Sequence, residues 1–290
     1  MAFLKAAGII GAACIVALGL FYGGKALIQN RSDNNPIGHE SVKIEELSYF
    51  DGMDKIYGQV YLPADSSGCL PVVIFCHGFG SNGQWGEPYC KSLASNGFAA
   101  YAFDFRGGSP NSKSTGLKTE EMNIKTEIQD LELVFKRIRK ENFCNGEIYL
   151  MGHSLGGLVS TLFASKEKKV AGLILMAPAF NAPEDARAQF PKAKDIPDTV
   201  EFMGMTLGNN YYKELYKLNP YKAASKFKGR VLLIQGNADK IVPVEYSDKA
   251  AGTFPNVKYK RIEGANHSFS GASRAKVIEI IKAWLSDNKL

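Results

Sequence analysis

Gly152-His153-Ser154-Leu155-Gly156 is a Gly-x-Ser-x-Gly pentapeptide between the apolar run Ile148-Tyr149-Leu150-Met151 and the helix-compatible Gly157-Leu158-Val159-Ser160-Thr161-Leu162. Between a strand and a helix, this spacing makes a turn sharp enough to lift the serine hydroxyl above a sheet, and the glycines leave room for the crossing backbones. Such a hydroxyl becomes a nucleophile when an imidazole takes its proton, a carboxylate holds that imidazole, and backbone N–H groups receive the oxyanion. Alone, the pentapeptide is equally compatible with a small-residue turn, so the other groups must be found elsewhere.

The chain has four histidines. His39 lies in a polar stretch, His153 adjoins the serine and is expected to point into the supporting structure, and His77 belongs to another motif. His267, in Gly264-Ala265-Asn266-His267-Ser268-Phe269 after the strand-like Val257–Ile262, is the candidate base. Asp239, where the apolar run from Val231 breaks into a loop closed by Pro243, is the candidate carboxylate that sets the imidazole tautomer. Asp104 and Asp248 are rivals, but one precedes the serine and the other belongs to a helix beginning near Val244. Pro71–Cys76 reads as a buried strand running into His77-Gly78-Phe79-Gly80. The Phe79 N–H and the Leu155 N–H, at a helix N-terminus, are the candidate oxyanion donors. His77 is expected to brace its loop, and the Phe79 ring could instead wall an acyl pocket.

These residues occur in the order Ser154, Asp239, His267, which is the α/β-hydrolase order. Together with Asp104-Phe105-Arg106-Gly107-Gly108-Ser109 and Gly236-Asn237-Ala238-Asp239-Lys240-Ile241-Val242-Pro243, they resemble the serine α/β-hydrolase superfamily, most like its bacterial feruloyl (cinnamoyl) esterase-like branch, over residues 42–288. The catalytic motifs are shared with monoacylglycerol lipases, acyl-peptide hydrolases and other serine esterases. The resemblance implies an eight-stranded, mostly parallel sheet with helices on both faces, an acyl-enzyme intermediate, and no metal or organic cofactor. The implied substrate is a small-molecule ester, either a hydroxycinnamate linked to plant polysaccharide or a short-chain acyl ester. A lipase, thioesterase or peptidase with the same triad, and an inactive membrane-tethered binding protein, are the alternatives.

The elements needed to position these groups are legible. Strands are expected at 42–50 and 55–62, joined by the turn-forming Asp51-Gly52, and then at 72–76, 99–105, 148–152, 171–176, 231–235 and 257–262. Helices are expected at 88–95, 119–140, 155–165, 244–252 and 273–286, and this alternation predicts a sheet covered on both faces. Residues 181–228 are more than a crossover needs and are rich in aromatics. The resemblance makes them a lid, with Phe202, Tyr211 and Tyr212 as candidate substrate-pocket residues.

At 290 residues with 45% hydrophobic content, the chain can bury one large core, and its net charge of +6 is dispersed rather than gathered into a nucleic-acid-binding block. Residues 6–24 are nineteen uncharged, mostly apolar residues between Lys5 and Lys25, approaching the length of a bilayer-spanning helix. The expected organisation is therefore a signal anchor at 1–25, a polar linker at 26–41 and an exported catalytic domain at 42–290, with secretion after signal cleavage as the alternative. The five cysteines lack metal-ligand spacing. In the expected fold, Cys69 and Cys144 precede neighbouring parallel strands, which raises a disulfide between them as a candidate.

Overall fold

The computed structural model describes residues 42–66 and 68–287. Its main sheet is built from β1 (Val42–Glu46), β2 (Gly58–Pro63), β3 (Leu70–Cys76), β4 (Ala99–Phe103), β5 (Cys144–His153), β6 (Val170–Met176), β7 (Arg230–Gly236) and β8 (Val257–Ile262). The spatial order is β1-β2-β4-β3-β5-β6-β7-β8, antiparallel at β1/β2 and β2/β4 and parallel from β4 onward. The Asp51-Gly52 turn closes a separate short ribbon, Tyr49–Asp51 with Asp54–Ile56, rather than continuing the ladder between β1 and β2.

Among the described residues eight α-helices accompany the sheet: α1 (Glu87–Ala94), α2 (Ile124–Ile138), α3 (Leu155–Ala164), α4 (Ala182–Gln189), α5 (Asn209–Lys217), α6 (Pro220–Ala224), α7 (Val244–Ala251) and α8 (Ala272–Ser286). The central strands alternate their apolar side chains between two cores. On β3, Val72, Ile74 and Cys76 join Leu131 and Val134 of α2 and Leu158 of α3, whereas Val73 and Phe75 join Tyr89 and Leu93 of α1 and Ile281 and Trp284 of α8. Each such aliphatic or aromatic side chain contributes about 1.5–3 kcal/mol by leaving water, which is why these strands are near-continuous apolar runs.

Helix α2 begins at Ile124, the first residue of its apolar pattern and five residues after the expected start at 119, because Asn123 caps it. The Asn123 side chain accepts from Lys125 N and Thr126 N, and Thr126 Oγ1 accepts from Asn123 N in return. Residues 181–228 lie between β6 and β7 and hold α4, α5, α6 and an antiparallel ribbon, Thr199–Phe202 with Met205–Gly208. Cys69 and Cys144 are free thiols in this structure, so the candidate disulfide is not formed; the Cys69 thiol instead donates to the Asn142 carbonyl at 3.2 Å. The apolar segment 6–24 and the linker 26–41 lie outside the described residues. Among those described, no helix is long and apolar enough to cross a membrane.

Candidate active site

The chemistry-bearing residues lie at the carboxyl ends of parallel strands, where open α/β sheets place their clefts. Ser154 follows β5 directly and caps α3 with φ 53° and ψ −119°. A side chain in this left-handed conformation costs on the order of 1–3 kcal/mol and persists only where the surroundings enforce it. Here Ser154 N donates to Met176 O at 3.0 Å, and Ser154 O accepts from Gly157 N at 3.0 Å and Ala179 N at 2.9 Å. The glycines are sterically required: a Cβ on Gly152 would strike the Gly156 carbonyl, and one on Gly156 would strike the Cys76 carbonyl. Among the described residues the Ser154 hydroxyl makes no hydrogen bond, neither to the first turn of α3 nor to His267.

His267 Nδ1 lies 2.8 Å from Asp239 Oδ2. The same carboxylate oxygen accepts from Gln235 Nε2 at 2.9 Å, while Oδ1 accepts from Ile241 N at 2.8 Å and Val242 N at 3.0 Å. Burial alone would raise the Asp239 pKa, but the bond and charge of His267 and the two backbone donors together hold it below the usual carboxylate value. An ionised carboxylate can only accept, so His267 Nδ1 carries the proton of this bond, and in the neutral imidazole the lone pair is then on Nε2.

His267 is brought beside the elbow by His153, whose Nε2 is 2.9 Å from the His267 carbonyl oxygen and whose ring centroid lies 4.8 Å from that of His267. His153 therefore packs into the supporting structure, as its place in the turn predicts. The two rival carboxylates are committed elsewhere. Asp104 accepts from Gly83 N and Lys113 N, both at 2.8 Å, and Asp248 binds Tyr259 and Arg261.

The loop after β3 is braced by the expected residue. His77 is buried, donates from Nδ1 to Gly78 O at 2.8 Å and accepts at Nε2 from Phe105 N at 3.0 Å; burial lowers its pKa, keeping it neutral. Gly80 N donates to Gly108 O at 3.1 Å. Arg106 then ties the loop after β4 to α2: its backbone N meets Asp130 Oδ2 and its Nε meets Asp130 Oδ1, each at 2.8 Å, while its guanidinium also reaches Asp54 at 2.9 Å. The Phe79 N–H takes no part in this backbone network among the described residues. Leu155, as the first residue of α3, has an N–H without an intrahelical partner.

The 181–228 insertion meets the site through rings. Phe79 is 5.2 Å from Phe202 and 5.8 Å from Tyr211, centroid to centroid. Tyr212 is turned into the insertion, edge-on to Phe190 at 5.1 Å, and touches Tyr211 at 5.5 Å. Two contributors escaped the reading of the sequence. Trp85, which stacks on His153, sits in a turn without periodicity; Gln235 could have been noticed as the polar member of the apolar strand β7. Among the described residues, no group of three or more His, Cys, Asp or Glu side chains could hold a metal ion.

Comparisons with known proteins agree with this geometry. The model of the family described as serine aminopeptidase, S33, matches residues 70–213. Protein phosphatase methylesterase 1 of Debaryomyces hansenii is 28% identical over 44% of this chain and 35% of its own length, so the match spans about a third of that relative. The ferulic-acid-bound structure of Est1E from Butyrivibrio proteoclasticus superposes with a TM-score of 0.77 at 25% identity, covering 83% of this chain and 98% of that one. A monoacylglycerol lipase of Paleococcus ferrophilus shares the fold, with a TM-score of 0.61 at 20% identity over 79% and 98% of the two chains. With the strained serine of the elbow, the chain order of the three side chains and the eight-stranded sheet in place, the chain belongs to the serine α/β-hydrolase superfamily and is feruloyl-esterase-like within it.

Proposed function

We propose that this protein hydrolyses carboxylic esters through an acyl-enzyme on Ser154. The observation that carries the reading is the Nδ1-to-Asp239 bond of His267, a residue seated by His153 beside the strained turn of Ser154, so that Nε2 is the proton acceptor of the neutral imidazole. Ser154 Oγ attacks the ester carbonyl as His267 Nε2 takes its proton, and Asp239 stabilises the resulting imidazolium. The Phe79 and Leu155 N–H groups receive the oxyanion, each worth about 2.7–4 kcal/mol in a preorganised site. His267 next protonates the leaving alcohol. It then takes a proton from water as the water oxygen attacks the acyl carbonyl, and returns that proton to Ser154 Oγ as the acyl–oxygen bond breaks and the acid leaves.

The acyl group is aromatic in this reading. Phe79 and Phe202 meet at 61° and Phe79 and Tyr211 at 57° beside the Phe79 amide, an edge-rich lining suited to a planar ring. Tyr212, behind Tyr211, shapes that wall. A structural relative was solved with ferulic acid bound, which supports hydroxycinnamoyl esters over short-chain ones. Rates on methyl ferulate, p-nitrophenyl butyrate, an acyl thioester and a peptide anilide test the assignment, together with fluorophosphonate labelling of the parent and Ser154→Ala. Labelling that persists in Ser154→Ala removes the nucleophile, and a peptide anilide outpacing every ester moves the enzyme to peptide substrates.

A further inference from the structure

His153 is the last residue of β5 and is buried. Its ring stacks nearly parallel on Trp85, with centroids 4.1 Å apart and planes 16° apart. Trp85 is itself stacked against Phe75 at 5.8 Å and Tyr89 at 5.5 Å, so the imidazole plane is set by a column of rings rooted in β3 and α1. That plane aims Nε2 at the His267 carbonyl oxygen, 2.9 Å away. A carbonyl oxygen only accepts, so His153 Nε2 carries a proton. Burial, and then the neighbouring His267, push the His153 pKa down to about 3, so at neutral pH the ring is uncharged.

We propose that His153 is a positioning residue for the general base: its Nε2–H anchors the main chain of His267 while Asp239 anchors the imidazole. The proposal rests on the reading of His267 as the base. The two anchors restrain different degrees of freedom. The Asp239 bond fixes the far side of the ring but not the main chain of His267. The ends of its loop are held elsewhere: Gly264 N donates to Asn237 Oδ1 at 2.7 Å, Ala265 O accepts from Ala238 N at 3.1 Å, and the Phe269 side chain is buried. The His153 bond adds the restraint at His267 itself, from β5, the strand that also presents Ser154, so nucleophile and base are referred to one backbone segment. A neutral donor suits the position, because an imidazolium formed on His267 would be opposed by a second cation 4.8 Å away.

Steady-state kinetics on the full chain separate this role from packing. His153→Phe keeps a flat ring on Trp85 and loses the donor; His153→Gln places an amide N–H where Nε2 stood. The expected result is a kcat loss of about 10²-fold in H153F, the scale of a misplaced base, with KM within about twofold, and recovery of most of that loss in H153Q. An H153F kcat within about threefold of the parent, a loss carried in KM, or an H153Q no better than H153F overturns the proposal. Should H153F fail to fold, long-range proton–nitrogen NMR of the parent decides: the Nε2–H tautomer of His153, coupled across the bond to the His267 carbonyl, is required, and the Nδ1–H tautomer refutes it. This tautomer is read without turnover. A parent that hydrolyses nothing therefore refutes the proposed function and leaves the NMR result to judge the contact.

Discussion

Replacing Asp239 with Asn removes one charge and two protons' worth of accepting capacity from a point where four donors converge. The carboxylate accepts from His267 Nδ1 and Gln235 Nε2 on one oxygen and from Ile241 N and Val242 N on the other. An amide has one accepting oxygen. If it faces the two backbone N–H groups, its NH2 meets His267 Nδ1 and drives the imidazole into the tautomer whose Nε2 is protonated, which cannot take the serine proton. If it is flipped, its NH2 opposes two backbone donors and the turn before α7 must move. Gln235 cannot relieve the first arrangement by turning over, because its Nε2 also donates to Val242 O at 3.1 Å and its Oε1 accepts from Ser247 Oγ at 2.8 Å. The wrong-tautomer arrangement lowers kcat about 10⁴-fold in serine triads, or about 5 kcal/mol of barrier. The assay is kcat of Asp239→Asn on the best ester of the substrate panel, with circular dichroism to verify folding. A folded variant losing less than about tenfold refutes the reasoning that Asp239 sets the His267 tautomer.

Three further outcomes follow from the surroundings of the site. Gly156→Ala places a methyl group against the Cys76 and His77 carbonyls; an overpacking cost of about 1–3 kcal/mol or more and loss of fluorophosphonate labelling are expected, and a labelled variant of parental stability contradicts them. Arg106→Ala strands the buried Asp130 carboxylate and should cost about 3–5 kcal/mol in urea unfolding; an unchanged midpoint denies that this ion pair holds the loop after β4. Stability against pH tests His153. Its pKa falls from an ordinary value near 6.5 to about 3 on folding, so native protein binds fewer protons in that window, and stability is complete above pH ~6.5 and is lost toward pH ~3 at up to ~1.4 kcal/mol per unit. His153→Gln lacks this loss, so the gap between the two unfolding curves should change in its favour as the pH falls. Asp130, raised to about 6 chiefly by burial, acts in the opposite direction but is common to both proteins, and parallel curves would contradict the buried neutral imidazole.

The local pattern determined much of this molecule. Gly152 and Gly156 around Ser154 announce the elbow because a Cβ at either would strike backbone, a constraint that leaves its mark in sequence. The apolar runs of β3 to β7 announce buried parallel strands, since a strand covered on both faces has no polar side to show. His267 and Asp239 could be paired from their order and loop positions, because each follows a strand at the same edge of the sheet. What the sequence could not decide lies in contacts between distant segments. Trp85 on His153, His153 on the His267 carbonyl and Arg106 on Asp130 join residues 68, 114 and 24 positions apart. Tyr211 and Tyr212 are indistinguishable as letters, yet one meets Phe79 and the other turns to Phe190. A helix turns successive side chains by about 100°, so which of two adjacent tyrosines faces the site is decided only when α5 docks.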